Sequence, residues 1–338
     1  MLDNSAFITV GEPAQTLEAA RAGRAPKAEY ASFLEERHFS QVLAMVDRGM
    51  NPGSTASLVR FALSAYWATW DRETIYLGEE YPGIQYLAVH AALRRRKRIG
   101  MLVHNVASMK RRLALGTLRL GRLVNHFFCL SSHSRRELEE QYGVPRARIT
   151  VVGSRVDTDF FRPDAAAPQQ RQVCSAGAIN RDYGMLIEAA GPLGVPLKIA
   201  ADTQWRYSAK AITREVPPFV EMRSWGNYVN LRALYAESAV VVVPLERAMM
   251  SGVTVALEGM AMGKAVVMTR NPYVEDFLRH GETGFFVRAG DVDDMRNTIR
   301  RLLDHPDEAA RVGAAARQWV LEKFTVQRYV QSILSGLS

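Results

Sequence analysis

The stretch PLERAMMSGVTVALEGMAMGKAVVMT, residues 244–269, gathers the residue types best suited to hold an anionic ligand. Its apolar flanks predict a buried strand, a loop, and a helix over Val253–Met262 closed by Gly263. A helix opening near Val253 leaves the backbone N–H groups of Ser251, Gly252, Val253 and Thr254 without intrahelical partners. Together with the helix dipole they can cradle a phosphate. Gly252 lets such a group approach the backbone closely. Glu258 follows about one and a half turns later. Its carboxylate there either accepts hydrogen bonds from the vicinal hydroxyls of a ribose or is a surface glutamate on an ordinary helix, since such loops abound in α/β folds. His104 stands directly after a candidate strand, as an active-site group or as a satisfied loop residue. Asp157-Thr158-Asp159 and Asp291-Val292-Asp293 have the Asp-x-Asp spacing of some divalent-ion sites. The first lies in a linker and the second opens a helix, so both read as caps and no metal is expected.

These residues need strands and helices to position them. In the first half, candidate strands at Phe7–Val10, Thr74–Gly78, Arg98–Val103, Phe127–Ser131 and Ile149–Val152 alternate with candidate helices. The helices are Glu29–Asp47, Thr55–Trp70, Ile84–Arg96, Met109–Val124 and Ser134–Tyr142, a rhythm that predicts a parallel sheet covered by helices. DTDFFRPDAAAPQQR, residues 157–171, interrupts the periodicity with Pro163 and Pro168 and reads as a linker. A second series has strands at Val173–Ala176, Pro196–Ala200, Phe219–Met222, Ala239–Val243, Ala265–Met268 and Phe285–Val287. Between them lie helices such as Tyr183–Leu193, Val253–Met262 and Val292–Leu303, the last capped by Asp291. Two helices, Glu308–Lys323 and Val326–Leu337, close the chain. The expected organisation is a first α/β domain over 1–156, a linker over 157–171, a second α/β domain over 172–322, and a helix in 323–338 crossing back to the first. Two such domains would face a ligand cleft with the C-terminal ends of their sheets.

A length of 338 residues suits two domain cores. With 48% hydrophobic and 23% charged residues, disorder, collagen-like repeats and a coiled-coil rod are excluded. Cys129 and Cys174 are the only cysteines, too few for a disulfide framework or a thiolate zinc site. Met1 to Val10 lacks the pattern of a secretion signal, and no apolar run reaches the ~18 residues of a membrane span. A cytoplasmic protein is expected, peripheral to the membrane at most.

The net charge is +8, and its distribution says more than its size. From Tyr81 to Arg136 there is no Asp or Glu against twelve Lys and Arg, five of them in Arg94–Arg98. Part of this closes a helix whose C-terminal dipole favours cations. On a helical wheel of Met109–Val124, Met109, Leu113, Leu120 and Val124 face the core, while Arg111, Leu115, Leu118 and Arg122 face outward. Arginines interleaved with leucines fit an anionic membrane surface over residues 94–122, or a lipid-phosphate acceptor. The alternative is leucines packed under a neighbouring loop. Nucleic acid is not expected, because stacking aromatics and a reading motif are absent.

ALEGMAMGKAVVMTRNPYVEDFLRHGETGFFVRAGDVDDMRNTIRRLLDHP, residues 256–306, resembles the nucleotide-sugar end of the retaining GT-B glycosyltransferases of family 4. So do AGAINRDYGMLIEAA, residues 176–190, and YVNLRALYAESAVVVVPL, residues 228–245. ITVVGSRVDTDFFRP, residues 149–163, resembles the passage from that family's first domain to its linker. The resemblance covers roughly 98–330. It implies the GT-B fold: two Rossmann-like α/β domains with parallel sheets facing across an interdomain cleft. It also implies transfer of a sugar from a nucleoside diphosphate donor with retention of configuration, without an obligatory metal.

Carried onto this chain, the resemblance makes Glu258 the second glutamate of the family's paired motif, the one holding the donor ribose. Met250 stands where the first glutamate would contact the donor sugar, and Ser251-Gly252-Val253 replaces a glycine-rich loop, with Glu246 the nearest substitute carboxylate. Ala178, after Gly177, replaces the arginine that balances the diphosphate, leaving Arg181 either as the cation or as a surface partner of Asp182. Arg223, Ser224 and Trp225 follow a strand from which they could meet the base. His104 matches a histidine near the reacting sugar, and Gly11, Glu12, Glu79 and Glu80 stand where an acceptor rim is expected. The implied catalytic set is therefore His104, Arg181 and Glu246. The implied donor set is Gly177, Arg181, Trp225, Met250, Ser251, Gly252, Val253, Thr254 and Glu258, and the acceptor set is Gly11, Glu12 and Glu79. A UDP- or GDP-sugar is expected as substrate, with no cofactor, and a lipid-linked or small-molecule acceptor. A non-catalytic nucleotide- or partner-binding protein and a GT-B sugar-nucleotide epimerase are the alternatives.

Overall fold

The structure is a computed structural model that describes residues 2–93, 95–104, 111–164, 166, 169–201 and 216–338. The chain divides into two compact units. The first comprises Met1–Arg21, Lys27–Gly153 and Val326–Ser338, and the second Ala22–Pro26 and Ser154–Thr325.

The first unit is built on strands β1 (Leu2–Thr9), β2 (Phe39–Ala44), β3 (Thr74–Leu77), β4 (Arg98–Val103), β5 (His126–Cys129) and β6 (Ile149–Val151), in the spatial order β2-β1-β3-β4-β5-β6. Every pairing is parallel, with Phe7 opposite Tyr76 and Cys129 opposite Val151. The second unit holds β7 (Gln170–Ala176), β8 (Leu197–Ala200), β9 (Val220–Arg223), β10 (Ser238–Val243), β11 (Ala265–Thr269) and β12 (Phe285–Val287), ordered β12-β11-β10-β7-β8-β9 and again parallel. The four valines of β10 and all five residues of β11 are buried, as befits central strands covered on both faces.

Each sheet has a point where successive connections leave in opposite directions. In the first it lies between β1 and β3, in the second between β7 and β10. Loops beyond the carboxyl ends of the strands open a crevice there. The Val326–Leu337 helix belongs to the first unit. It buries Val326, Tyr329, Val330, Ile333 and Leu337, a helical stripe. Leu337 fills the space a side chain at Gly100 of β4 would take.

Three sequence expectations change. The helix expected over Glu29–Asp47 stops after Glu35, Arg37 adopts a left-handed φ of 51°, and β2 follows. Phe39 stacks with Phe7 and Tyr76, so burial of an aromatic side chain draws this segment into the sheet. The helix expected over Met109–Val124 is a π turn over Arg112–Thr117 and a 3₁₀ turn over Leu120–Leu123, parted by Arg119 at a φ of 57°. That break re-aims the side chains: Leu113 is 54% and Leu118 61% exposed, whereas Leu115 is 4% exposed and Arg111 turns inward. The outward face of Arg111, Leu115, Leu118 and Arg122 therefore does not form. The linker expected over 157–171 is packed at its start, where Phe160 and Phe161 join the second unit's core and Arg317 donates to the Thr158 and Phe161 carbonyls. A helix over Pro13–Arg21 has no counterpart among the expected elements. Arg94, Met109, Lys110 and Pro168 lie outside the described residues.

Candidate functional site

In the second unit the loop after β7 and the loop after β10 are tied across the switch point. Arg181 and Leu245 pair as a β-bridge. Asn180, left-handed at a φ of 57°, donates through Nδ2 to the Arg247 carbonyl at 3.0 Å, and its Oδ1 accepts from the Arg247 N–H at 3.0 Å. The Arg181 side chain is 7% exposed. Its Nε donates to the Ala176 carbonyl at 3.0 Å, and its Nη1 to the Ile179 carbonyl at 2.8 Å and to Ser251 Oγ at 3.3 Å. Burial pushes its pKa down, with the nearby Tyr183, Tyr235 and Glu258 opposing the shift. Gly177 takes a φ of 90°, a left-handed backbone that favours glycine, and a Cβ there would stand 2.7 Å from Arg181 Nη2.

Beside these loops lies a cavity of about 530 Å³ whose wall includes Gly177, Ala178, Trp225, Thr254 and Glu258. Glu258 is 4% exposed, and the Tyr235 hydroxyl donates to its Oε2 at 2.8 Å. Burial raises the Glu258 pKa to about 7, while the Tyr235 hydrogen bond and Arg181 pull the other way. The Val253–Ala261 helix opens at Gly252, which has a φ of 78° and no side chain to cap the free N–H groups. A Cβ at Gly252 would meet Val243 at 2.6 Å, so the loop also depends on glycine for its close packing on β10. Thr254 is exposed at the mouth, and Val253 is buried beneath it. The Arg223 guanidinium lies 4.1 Å over the Trp225 ring. An uncapped helix start, a buried carboxylate and an aromatic wall can hold, respectively, a phosphate, a pair of hydroxyls and a planar ring.

The cavity thus unites Gly177, Trp225, Thr254 and Glu258. It does not include Arg181, Glu246, Met250, Ser251, Gly252 or Val253, which are set back in the loops. Met250 packs against the second unit's core. Glu246 is held through its N–H, which donates to the Asn180 carbonyl at 3.4 Å. Sequence reasoning missed Asn180 and Tyr235. A tyrosine ending the helix before a buried strand was a usable signal, because its hydroxyl must find a partner.

A family model described as Glycosyl transferases group 1 matches residues 171–305, and one described as Glycosyltransferase Family 4 matches residues 50–160. The chain belongs to the group 1 glycosyl transferases. It is 25% identical over 321 residues to a GDP-mannose-dependent alpha-(1-6)-phosphatidylinositol monomannoside mannosyltransferase of Mycobacterium tuberculosis, a match covering 87% of this chain and 80% of the relative. An MMP alpha-(1->4)-mannosyltransferase of Mycolicibacterium hassiacum is 25% identical over 219 residues, 62% of this chain and about half (53%) of the relative's length. Anabaena Alr3699/HepE in complex with UDP-glucose superposes with a TM-score of 0.74 at 15% identity, covering 98% of each chain. Sucrose-phosphate synthase from Thermosynechococcus elongatus gives a TM-score of 0.71 at 16% identity, over 97% of this chain and 96% of that one. These two likenesses show the GT-B fold.

The first unit of this glycosyltransferase has its own cluster at the β1/β3 switch point. The Val10 N–H donates to Glu79 Oε2 at 2.7 Å, and the Thr9 hydroxyl to Oε1 at 3.2 Å. Burial raises the Glu79 pKa to about 7, opposed by the Val10 bond and by His104. The Gly11 N–H donates to Thr9 Oγ1 at 3.1 Å, and the Glu12 carbonyl accepts from Thr16 as the Pro13–Arg21 helix starts. Glu80, 3% exposed, binds His104 twice: it accepts from the backbone N–H at 2.7 Å and stands 3.2 Å from Nδ1. Arg111 Nε lies 3.6 Å from the same carboxylate. His104 is thereby held by Nδ1, with its side chain 41% exposed. Among the described residues no group of three or more His, Cys, Asp and Glu gathers to hold a metal ion. Asp157 accepts from the Asp159 and Phe160 N–H groups, and Asp291 caps the Asp294 N–H. No helix among the described residues is long and apolar enough to cross a membrane.

Proposed function

We propose that the chain transfers a sugar from a nucleoside diphosphate sugar to an acceptor, with retention of anomeric configuration and without an obligatory metal. The observation that carries this reading is Glu258, buried at the wall of the second unit's cavity beside the uncapped start of its own helix. In this reading Glu258 accepts from the ribose hydroxyls, and the Ser251–Thr254 amides hold the diphosphate as negative charge grows on the leaving group. Trp225 and the Ser224–Asn227 backbone flank the base. Arg181 steadies both loops from below and reaches the diphosphate side through Ser251. The donor nucleoside is uridine or guanosine: the M. tuberculosis relative is named for GDP-mannose, and the Anabaena structure holds UDP-glucose. The acceptor is lipid-linked or a small molecule, and His104, oriented by Glu80, belongs to the transfer step.

A second reading, a nucleotide-binding protein without turnover, draws on one observation. Met250 packs on the core where the family's first glutamate would stand, and Ala178 offers no cation.

Thermal shift of the wild type and Glu258→Ala against UDP, GDP, ADP and their sugar conjugates tests the donor site. A bound ligand at 100 times its dissociation constant adds about 2.7 kcal/mol to stability. One diphosphate should stabilise the wild type and not the variant. Stabilisation that survives Glu258→Ala, or none with any nucleotide, removes the assignment. Transfer from the responding conjugate, with the product anomer read by NMR and the assay repeated in EDTA, then separates retaining, metal-independent transfer from binding alone.

A further inference from the structure

The first unit carries an apolar row that its core does not use. On the Thr55–Ala68 helix, Leu58, Phe61, Ala62, Ala65 and Tyr66 face the core. Val59 (44% exposed), Leu63 (44%) and Trp67 (59%) stand on the outer side. Their spacing of four aligns them along one face. A surface helix ordinarily carries charges there, yet Arg60 is the one charged residue in this helix, and it is exposed beside Val59.

The row continues into an aromatic and cationic end. The rings of Trp67 and Trp70 stack with centroids 4.9 Å apart, and the Arg95 guanidinium lies 4.1 Å over Trp70. Arg95 and Arg96 are exposed and belong to the stretch from Tyr81 to Arg136 that contains no acidic residue. Asp71, just beyond Trp70, has Arg72 as an ion-pair neighbour at 3.8 Å.

We propose that this face docks on an anionic lipid bilayer. The Thr55–Ala68 helix lies in the plane of the interface, with Val59, Leu63 and Trp67 at the acyl boundary and Arg60, Arg95 and Arg96 at the phosphates. An apolar row edged by cations, with no acid on the helix, is the composition of interfacial helices, and tryptophan settles at headgroup depth. A second copy meeting this face would set its arginines against themselves. Anionic lipid is therefore the occupant the charge selects. The proposal is independent of the donor site, since nucleotide binding would survive its failure.

The test is co-sedimentation with phosphatidylcholine vesicles with and without about one-third phosphatidylglycerol, at low and high salt. The wild type should pellet with the anionic vesicles and release as salt rises. Leu63→Glu, and separately the pair Arg95→Gln with Arg96→Gln, should each weaken partitioning on the order of tenfold at low salt. Leu321→Glu, at a leucine of the second unit that is 38% exposed, should leave it unchanged. Unchanged unfolding temperatures and nucleotide responses certify the folded variants, and the arginine pair carries the test should Leu63→Glu not fold. Absent binding by the wild type, undiminished binding by the arginine pair, or a dimer in light scattering that Leu63→Glu dissolves would each overturn the proposal.

Discussion

Each sheet sets a glutamate at the point where its strand order turns, and the two are employed differently. In the first unit Glu79 is itself the tie across the switch point, with the Val10 N–H and the Thr9 hydroxyl of the β1 side bonded to its carboxylate. In the second unit Arg181 and Asn180 make that tie from the β7 side. Glu258 is thereby released from scaffolding, held by one tyrosine hydroxyl and turned toward a cavity. A buried carboxylate with few partners keeps capacity for a ligand's hydroxyls, whereas one bonded to its own backbone has already spent it. The raised pKa shared by the two glutamates does not by itself mark a binding site; the partners do.

The largest expected effect is a fall in stability with rising pH. The Glu258 pKa lies near 7 in the folded chain, above its ordinary value of 4.5. Its contribution is fully present below about pH 4.5, where both states are protonated, and is lost as pH rises through about 7, once the folded carboxyl also ionises. The loss should be on the order of 3 kcal/mol. Denaturant titrations across that window should show the decline, and Glu258→Gln should flatten it. Glu79→Gln should flatten it by a similar amount, because burial raises the Glu79 pKa to the same value, but only Glu258→Gln should weaken the nucleotide response. A nucleotide response weakened in both variants, or in neither, would erase the contrast.

Next in size is the tie itself. Arg181→Met should remove the side-chain donor to the Ala176 carbonyl and leave the Ile179 carbonyl with the Ser251 hydroxyl alone, lowering urea stability by about 2 kcal/mol. Loss of nucleotide response with no loss of stability would instead make Arg181 a direct ligand of the donor. The smallest change sharpens the comparison: Tyr235→Phe removes the hydroxyl beside Glu258, lowering stability by about 1 kcal/mol. It should also move the pH-dependent decline upward, as the carboxylate loses the hydrogen bond that favours its ionised form.

The sequence exposes what is local. Apolar runs such as SAVVVV and AVVMT, and the loop-to-helix spacing from Ser251 to Glu258, are legible because burial and the helix repeat act within a few residues. Contacts between distant segments decide the rest. Glu258 takes its tyrosine from 23 residues upstream, and His104 takes its carboxylate from 24 residues upstream. β2 escaped notice because Phe39–Ala44 continues a helix-like pattern until its parallel pairing with β1 overrides it. The Met109–Val124 wheel failed at Arg119, whose left-handed turn between Gly116 and Gly121 re-phases everything after it.

The return of the Val326–Leu337 helix to the first unit bears on how the protein is made. The surfaces of β4 and β5 that this helix covers emerge from the ribosome early, and their cover emerges roughly 170 residues after Gly153. At translation speeds of about 5–20 residues per second, that leaves an apolar groove bare for on the order of ten to thirty seconds. The second unit, whose long stretch Ser154–Thr325 is synthesised without interruption, can close first. The unit begun first is thus completed last, and a chaperone guarding the nascent chain would find its client at the groove beside Gly100.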